Sequence, residues 1–266
     1  MCESLFSLDR VCYAYHKIPA LNNINLTIKS GESIAVIGAN GTGKSTLLNM
    51  LDALIFPSSG TITAFGSLLS EREMGNNEKQ RFFRRRVGFV FQNPDIQLFC
   101  PTVKEDILFG VLHLEIGKEE INRRFERVVE CMRISHLLGR SPHQLSIGEK
   151  KKAAIASVLI IEPEVLLLDE PTAGLDPQTT RDIIAILFEA HKNGKTVVMA
   201  THDLHIAEEI AEKVHVFGPE HNIIRSGSAE EILSDQQFLQ NNNLMHVHVH
   251  RHLHGSHIHP HVHHKG

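Results

Sequence analysis

Residues 38–46 read G-A-N-G-T-G-K-S-T, and this stretch decides the fold class of the chain. It fits the phosphate-binding pattern G-x-x-x-x-G-K-[ST], in which a glycine-rich turn joins a strand to a helix. Residues 33–37 before it form a short apolar run typical of a buried parallel strand, and residues 45–54 after it have helical spacing. The sequence therefore predicts a strand, a phosphate loop and a helix in that order.

The residue types in this loop suit the polyphosphate of a nucleotide. Glycines let the backbone turn tightly so that successive N–H groups point at phosphate oxygens, and a helix N-terminus adds a favourable dipole. A lysine adds positive charge at the β- and γ-phosphates, and a serine hydroxyl is a hard oxygen ligand for Mg²⁺. The predicted nucleotide-binding residues of the loop are Gly38, Asn40, Gly41, Gly43, Lys44, Ser45 and Thr46.

Composition bounds the size and the class of the protein. The chain has 266 residues, 42% of them hydrophobic, enough for one sizeable core and a smaller subdomain. A formal net charge of −4 argues for neither nucleic acid nor an anionic membrane surface as a partner. The cysteines lack C-x-x-C spacing, which is typical of a reducing cytosol, and no apolar run approaches the roughly 20 residues of a transmembrane helix. We expect no nucleic acid to bind, and any membrane role to come through a partner.

The rest of the chain alternates strand and helix patterns around one insertion. Residues 5–15 and 25–28 alternate apolar and polar side chains as half-exposed antiparallel strands do. Residues 60–63 and 87–92 are predicted short strands. Residues 93–145 are mostly helical in pattern and are interpreted as a helical insertion into an α/β protein.

A predicted helix over residues 145–161 has an unusually basic first turn, with the sequence S-I-G-E-K-K-K. Lysines at that end oppose the helix dipole, and an anion or an acidic surface nearby would offset this local cost. A solvated helix face is the alternative, and the pattern leaves both open.

Two buried strands end in polar side chains at the same predicted sheet edge. Residues 165–170 read V-L-L-L-D-E, and residues 196–201 are followed by His202. Ligands usually bind at the carboxyl edge of a parallel sheet. There Asp169 can hold Mg²⁺ through water, and Glu170 can orient or deprotonate a nucleophilic water.

Together these elements resemble the ATP-hydrolysing subunit of an ABC transporter over about residues 5–233. Six motifs occur in the order found in that family, beginning with the phosphate loop as Walker A. Tyr13 and Tyr15 both offer a ring to stack on adenine, with packing in the strand as the alternative, and Tyr15 fits the family position better. The other residues matched by resemblance are the Q-loop glutamine Gln92, the signature residues Ser146, Gly148 and Glu149, the Walker B aspartate Asp169, the catalytic glutamate Glu170, the D-loop residue Asp176 and the switch histidine His202.

The resemblance implies a P-loop NTPase (RecA-like) α/β core with an antiparallel β subdomain and an inserted helical subdomain. This domain would span residues 1–240, with the helical part at about residues 93–163. Two subunits, as a homodimer or as a heterodimer with a close relative, would close head to tail over two ATP molecules. Ser45, Gln92 and Asp169 would hold Mg²⁺, and Glu170, His202 and Gln92 would be catalytic.

One position departs from the family pattern. Ile147 stands where the signature L-S-G-G-Q has its first glycine, so a β-branched side chain is expected beside the phosphate of the opposite subunit. If this position needs a positive φ, closure of the dimer on ATP would be strained. Glu149 in place of glutamine is a milder change.

Residues 91–99, F-Q-N-P-D-I-Q-L-F, and the P-T-V-K-E-D-I-L-F-G that follows resemble the energy-coupling-factor branch of the family. Importers of that branch carry vitamins or transition-metal ions. They use a membrane-embedded coupling protein and a substrate-binding membrane subunit. The resemblance therefore implies a peripheral position on the cytoplasmic face of the cell membrane.

Residues 241–266 form a tail, in which residues 241–243 are interpreted as a linker and the composition changes abruptly from Met245, with ten histidines within twenty-one residues. Neutral imidazoles ligate borderline metals such as Co²⁺, Ni²⁺ or Zn²⁺, and alternation places many of them on one side of an extended chain. We predict a disordered, metal-binding tail, with an affinity tag as the alternative; with the family branch, this favours cobalt or nickel import. The predicted ligands are His246, His248, His250, His252, His254, His257, His259, His261, His263 and His264.

Two other functions stay open from the sequence. One is a vitamin importer whose tail is incidental. The other is a soluble ABC ATPase with no transport role, working on DNA or ribosomes. Proteins of that second kind usually carry paired ATPase domains, long coiled coils or basic faces, which this sequence lacks.

Overall fold

Two β-sheets and an inserted group of helices form the domain. The computed structural model describes residues 4–112, 114–252 and 255–261. From residue 246 onward it describes the backbone only. The strands are β1 (Ser4–Tyr15), β2 (Ile18–Lys29), β3 (Ser33–Gly38), β4 (Ser59–Ala64), β5 (Ser67–Leu68), β6 (Val87–Val90), β7 (Val165–Asp169), β8 (Thr196–Thr201), β9 (Lys213–Phe217), β10 (Ile223–Ser228), β11 (His246–His252) and β12 (Gly255–His261). The α-helices are α1 (Lys44–Leu51), α2 (Glu71–Met74), α3 (Asn77–Arg86), α4 (Val103–Phe109), α5 (Lys118–Met132), α6 (Ile147–Leu159), α7 (Pro177–Lys192), α8 (Leu204–Ile210), α9 (Ala229–Ser234) and α10 (Gln236–Asn241).

The central sheet has the strand order β10-β9-β3-β8-β7-β6 and is parallel from β9 to β6. Every residue of β3, β7 and β8 is buried, which explains their continuous apolar runs, since a parallel sheet is covered on both faces. Their register aligns Ile37 with Thr201 and Asp169 with Ala200. The phosphate loop, the two carboxylates and His202 therefore leave the sheet at one edge, and the predicted RecA-like α/β core is confirmed.

The second sheet has the order β2-β1-β4-β5 and is antiparallel. Its second strand begins at Ile18, well before the start predicted at residue 25. The reason is the tight turn between β1 and β2, where His16 has a φ of 57° and brings Ile18 opposite Tyr15. This sheet carries Tyr15 to the phosphate loop of the central sheet, and the predicted antiparallel subdomain is present.

The helical insertion packs against the central sheet and shares a hydrophobic core with it, which includes Val90, Leu168 and Met199 of the strands. Helices α4, α5 and α6 bury a cluster that includes Val103, Ile107, Val128 and Met132. In α5, Val128, Val129 and Met132 are buried, whereas Ile121 and Phe125 are half-buried. The insertion separates β6 from β7 in sequence, although the two strands are neighbours in the sheet.

After α10 the backbone forms a two-stranded antiparallel hairpin, β11–β12. Alternation with β-branched Val and Ile favours such an extended backbone, and the disorder expected for the tail from its composition stays a prediction. The dependence of this order on metal stays a prediction, and His254, His263 and His264 lie outside the described residues. Within the described part of the chain, no helix is both long enough and apolar enough to span a membrane.

Candidate nucleotide site

A cavity of about 420 Å³ opens at the carboxyl edge of the central sheet. It brings together residues from β1, β2, the phosphate loop, the segment after β6 and the end of β7. The lining residues are Tyr15, Ile18, Pro19, Ala20, Asn40, Gly41, Gly43, Lys44, Ser45, Thr46, Gln92, Glu170 and His221. The predicted adenine-stacking residue and most of the predicted phosphate-binding residues therefore share one cavity.

The loop between β3 and α1 is shaped by glycine where a side chain has no room. Gly43 has a φ of 107°, and a Cβ placed there would lie 2.2 Å from the carbonyl oxygen of Ala20. Lys44 begins α1 and donates from Nζ to the carbonyl oxygens of Gly38 (2.9 Å) and Ala39 (3.1 Å). Burial lowers the pKa of Lys44, and the carboxylates of Glu170 and Asp169 raise it in opposition. The two carbonyl acceptors thus hold the Lys44 side chain in place at the lining of the cavity.

Ser45 and Asp169 contact each other directly. The Ser45 hydroxyl donates to Asp169 Oδ1 at 3.0 Å. Burial raises the pKa of Asp169, and the hydrogen bond from Ser45 works against this. A serine hydroxyl, one carboxylate and the amide oxygen of Gln92 are the hard donors that Mg²⁺ prefers, and Mg²⁺ usually takes one or two protein carboxylates with phosphate oxygens and water. These side chains fit a magnesium nucleotide.

Glu170 is held in a fixed orientation. Its carboxylate contacts His202 Nδ1 at 2.9 Å and accepts from the Thr201 hydroxyl at 3.5 Å. The residue is 5% exposed, and its backbone has a φ of 45°, a left-handed value that is uncommon for a residue other than glycine. Its backbone N–H donates to the Ala200 carbonyl at 2.9 Å, which secures this conformation. The carboxylate is thus aimed into the cavity by its neighbours on β8 and beyond.

The predicted signature residues lie in a different place, at the start of α6. Ser146 is the N-cap, and its hydroxyl accepts from the Glu149 N–H at 3.3 Å. Glu149 Oε2 accepts in return from the Ser146 N–H at 2.8 Å, which completes a capping box and lowers the pKa of Glu149. With Ile147 and Gly148, they line an open cavity of about 310 Å³.

Asp176 borders this second cavity and caps the next helix. Its carboxylate accepts from the Thr179 hydroxyl at 2.6 Å and from the backbone N–H groups of Gln178 and Thr179. These bonds lower the pKa of Asp176, the Thr179 hydroxyl contributing most. Ser146, Gly148, Glu149 and Asp176 are therefore together, but no residue lines both this cavity and that of the phosphate loop.

Ile147 does not have the positive φ considered from the sequence. Among the described residues other than glycine, those with positive φ do not include it, because it is the first residue of α6 behind the Ser146 cap. Its side chain is 60% exposed and points away from the domain core. Strain from a left-handed backbone at this residue is thus absent in the structure.

Two residues in or near the nucleotide cavity were not predicted from the sequence. His221 lines the nucleotide cavity from the turn between β9 and β10, where its carbonyl accepts from the Asn22 N–H at 2.8 Å. Lys151 of α6 is 1% exposed, and burial lowers its pKa to about 8 against the opposing charges of Asp169 and Glu170. A turn residue carries no sequence signal of what it faces. The run of lysines near the start of α6 was the only sign of Lys151.

The lysines of that turn have polar partners on neighbouring segments. Lys150 contacts Asp95 at 2.7 Å, and Lys152 contacts Asp182 at 2.7 Å. The acidic-surface interpretation of this turn fits the structure better than a solvated face.

Comparison with known proteins agrees with this geometry. Residues 21–173 match the family model described as ABC transporter. The chain is 48% identical over 243 residues to the nickel import ATP-binding protein NikO of Rhodobacter capsulatus, covering 90% of this chain and 95% of that protein. It is 40% identical over 243 residues to the energy-coupling factor transporter ATP-binding protein EcfA2 of Methanospirillum hungatei, covering 91% and 60%.

Solved structures give the same family. CbiO1 from Clostridium perfringens, part of the ABC transporter complex CbiONQ, superposes with a TM-score of 0.77 at 36% identity, over 91% of this chain and 95% of that one. The ATP-binding cassette MJ0796, solved as a dimer bound to ADP and Pi in a post-hydrolysis state, superposes with a TM-score of 0.75 at 28% identity, over 85% and 99%. The chain described here belongs to the ABC transporter family and is an ATP-hydrolysing, ATP-binding subunit of the energy-coupling-factor type.

Proposed function

We propose that this subunit drives uptake of a transition-metal ion, cobalt or nickel, through membrane partner subunits. The observation that carries the proposal is the 48% identity to a nickel import ATP-binding protein over 90% of this chain. The similarity to CbiO1, part of the CbiONQ complex, and the histidine-rich tail support the same class of cargo.

Within one chain, the residues of the first cavity would bind ATP and prepare its hydrolysis. The Tyr15 ring would stack on adenine, and the loop N–H groups with Lys44 would hold the phosphates. Ser45, Asp169 and Gln92 would hold Mg²⁺, whose charge offsets that of the β- and γ-phosphate oxygens. Glu170 would orient and deprotonate the attacking water, and His202, in contact with its carboxylate, would keep it aligned.

The signature cavity would complete the site of a second subunit. Ser146, Gly148 and Glu149 with Asp176 form an open surface rather than part of the first cavity. A head-to-tail dimer, made of two copies or of this chain and a close relative, would place that surface over the γ-phosphate of the opposite chain. The dimeric structure of MJ0796 supports this arrangement.

The membrane-embedded coupling protein would dock in a groove of about 430 Å³ between the central sheet and the helical insertion. Aromatic residues line the groove, among them Phe89, Phe91 and Phe99, the last 65% exposed. Arg81 and Arg85 lie beside them with side chains 68% and 41% exposed. An apolar segment with acidic residues would complement this groove, and docking there would keep the subunit on the cytoplasmic face of the membrane beside the substrate-binding subunit.

The tail would bind transition-metal ions through its histidines. The backbone register of the hairpin sets His246 opposite His261, His248 opposite His259 and His250 opposite His257. Imidazole is a preferred ligand of such ions, so the hairpin carries many candidate ligands along its two strands. Such a segment would store, buffer or sense the ion for which the transporter works.

The transport proposal is tested by uptake of ⁶³Ni²⁺ or ⁵⁷Co²⁺ into cells that express this chain with its membrane partners. We expect ATP-dependent uptake of one of the two ions, and loss of that uptake with Glu170→Gln. Uptake of a vitamin instead of either ion would move the assignment to a vitamin importer. Purification without any membrane subunit, together with full ATPase activity, would favour a soluble ABC ATPase.

The role of the tail is tested by calorimetric titration of Co²⁺, Ni²⁺ and Zn²⁺. The full chain is compared with a version that ends at Asn243. We expect binding of several ions that is lost with the tail. Equal heats from both proteins would show that the tail has no part in metal binding.

A further inference from the structure

Lys151 is a buried cation on the helix that begins with the signature residues. It lies in the second turn of α6 and is among the largest fully buried side chains of the described chain. An ammonium group away from water is costly unless acceptors surround it. Its partners therefore show what the residue is for.

The acceptors are two successive backbone carbonyls at the end of β6. Lys151 Nζ donates to the carbonyl oxygens of Phe91 (3.1 Å) and Gln92 (2.7 Å). Strand β6 ends at Val90, just before these two residues, and the ammonium supplies a donor to both carbonyls. The shorter of the two bonds is to Gln92, whose side chain lines the nucleotide cavity.

The same ammonium also faces the carboxylates of the site. The charges of Asp169 and Glu170 favour the protonated Lys151, and Lys151 in turn favours ionised Asp169. Lys151 thus contacts the segment that carries Gln92 and interacts electrostatically with the two carboxylates. It touches the first and acts on the second through its field.

Other contacts bind residues 91–97 to α6 along its length. Gln97 Nε2 donates to the Ala154 carbonyl at 2.8 Å and to the Ser157 hydroxyl at 3.1 Å, while its Oε1 accepts from the Phe91 N–H at 3.2 Å. The segment is therefore fastened to the helix at several points. At Gln92 itself, the hydrogen bond to α6 comes from Lys151.

We propose that Lys151 is a positioning residue for Gln92, holding its backbone against α6 so that the glutamine side chain reaches the reacting end of the nucleotide. Through the same bonds, a shift of α6 moves Gln92. A helix that presents signature residues to the opposite subunit would thereby be tied to a catalytic residue of its own site.

The chain contains a matched control in Lys195. This lysine is also half-buried or more and donates from Nζ to a backbone carbonyl, that of Pro163, at 2.6 Å. It does not line the nucleotide cavity or the signature cavity. Lys195→Met removes a similar bond without touching the site.

The experiment measures kcat, KM and the dissociation constant for ATP in the full chain carrying Lys151→Met, Lys151→Gln or Lys195→Met. We expect Lys151→Met to lower kcat by about tenfold or more while ATP affinity stays within about threefold, since small misplacement of a catalytic group costs rate before binding. Lys151→Gln keeps an N–H donor and should recover kcat to within about threefold of the parent. Lys195→Met should leave kcat within about twofold.

A double-mutant cycle with Gln92→Ala decides whether Lys151 acts through Gln92. We expect Lys151→Met to lower kcat by less than about twofold once Gln92 is alanine, because the group it positions is gone. A full tenfold loss in that background, or a parental kcat for Lys151→Met alone, overturns the proposal. If Lys151→Met does not fold, Lys151→Ala replaces it in the same cycle, since it leaves room for water at the two carbonyls.

Discussion

The two halves of the proposed ATP site differ in how much of each is built within one chain. The phosphate-loop half is assembled from buried charges: Lys44, Asp169 and Glu170 are 6%, 7% and 5% exposed and are bonded to their surroundings. The signature half is an exposed surface in which Ser146 and Glu149 bond mainly to each other. Preorganised electrostatics thus belong to the first half, and in the proposed dimer the second half becomes part of a site only when it meets another subunit.

The largest effect is expected from Glu170→Gln, which tests whether the chemistry belongs to the first half. The amide keeps the shape and the contact with His202 but is no base, so kcat should fall by about 10³-fold. ATP should still bind, and dimers closed on ATP should accumulate. Rapid-quench hydrolysis and gel filtration with ATP measure both. Hydrolysis at the parental rate would remove Glu170 from the chemistry.

The next largest effect is expected from Lys44→Ala, which tests whether binding belongs to the same half. The side chain is the buried positive charge at the loop, and its loss should weaken ATP binding by about 100-fold. Fluorescent-nucleotide titration measures the change, with Lys195→Met as the control. Tight ATP binding by Lys44→Ala would contradict the assignment of the loop.

Ser146→Ala tests whether the signature half acts only in the dimer. In a Glu170→Gln background, ATP affinity of the single chain should stay within about twofold, while the ATP-closed dimer should weaken. Loss of the cap should also lower the free energy of unfolding by about 1 kcal/mol. Analytical ultracentrifugation with ATP and urea unfolding measure the two effects.

Thr102→Ala is the matched control for that experiment. Thr102 caps α4 with a capping box of the same kind, outside both cavities. It should lose a similar amount of stability and keep the dimer. If both variants weaken the dimer equally, the effect comes from helix stability and not from the signature surface.

The smallest effect is expected from Ile147→Gly, which restores the family residue. Because the backbone at Ile147 is already helical and its side chain is exposed, kcat should change by less than about threefold. Steady-state ATPase assays check this. A tenfold rise would mean that the isoleucine side chain obstructs dimer closure despite its relaxed backbone.

Local pattern was sufficient for the elements around the phosphate loop. The predicted strands at residues 33–37, 165–170 and 196–201 correspond to Ser33–Gly38, Val165–Asp169 and Thr196–Thr201. A strand of a parallel sheet is buried on both faces, so a continuous apolar run in the sequence predicts it. The first half of β2 was missed because its pairing depends on a tight turn and a partner strand rather than on its own alternation.

The residues of the site also divide into those predicted from local pattern and those that depend on distant contacts. The phosphate loop and the two carboxylates could be read from the sequence, because each sits at the end of a strand whose pattern is local. His221 and Lys151 could not, since one reaches the cavity from a distant turn and the other is buried by a segment many residues earlier. The sequence also could not decide whether Ile147 has a positive φ, because the answer depends on where α6 begins.

By itself, the sequence determined the order of strand, loop and helix, the residues proposed to bind phosphate and metal, and the composition of the tail, because these depend on spacing and side-chain chemistry along a short stretch. Only the tertiary structure decided that Lys151 is buried against Gln92, that His221 enters the nucleotide cavity and that the signature surface stands apart from it. Those features depend on contacts between residues far apart in sequence, and burial of a charge is a property of all the groups around it rather than of the residue alone.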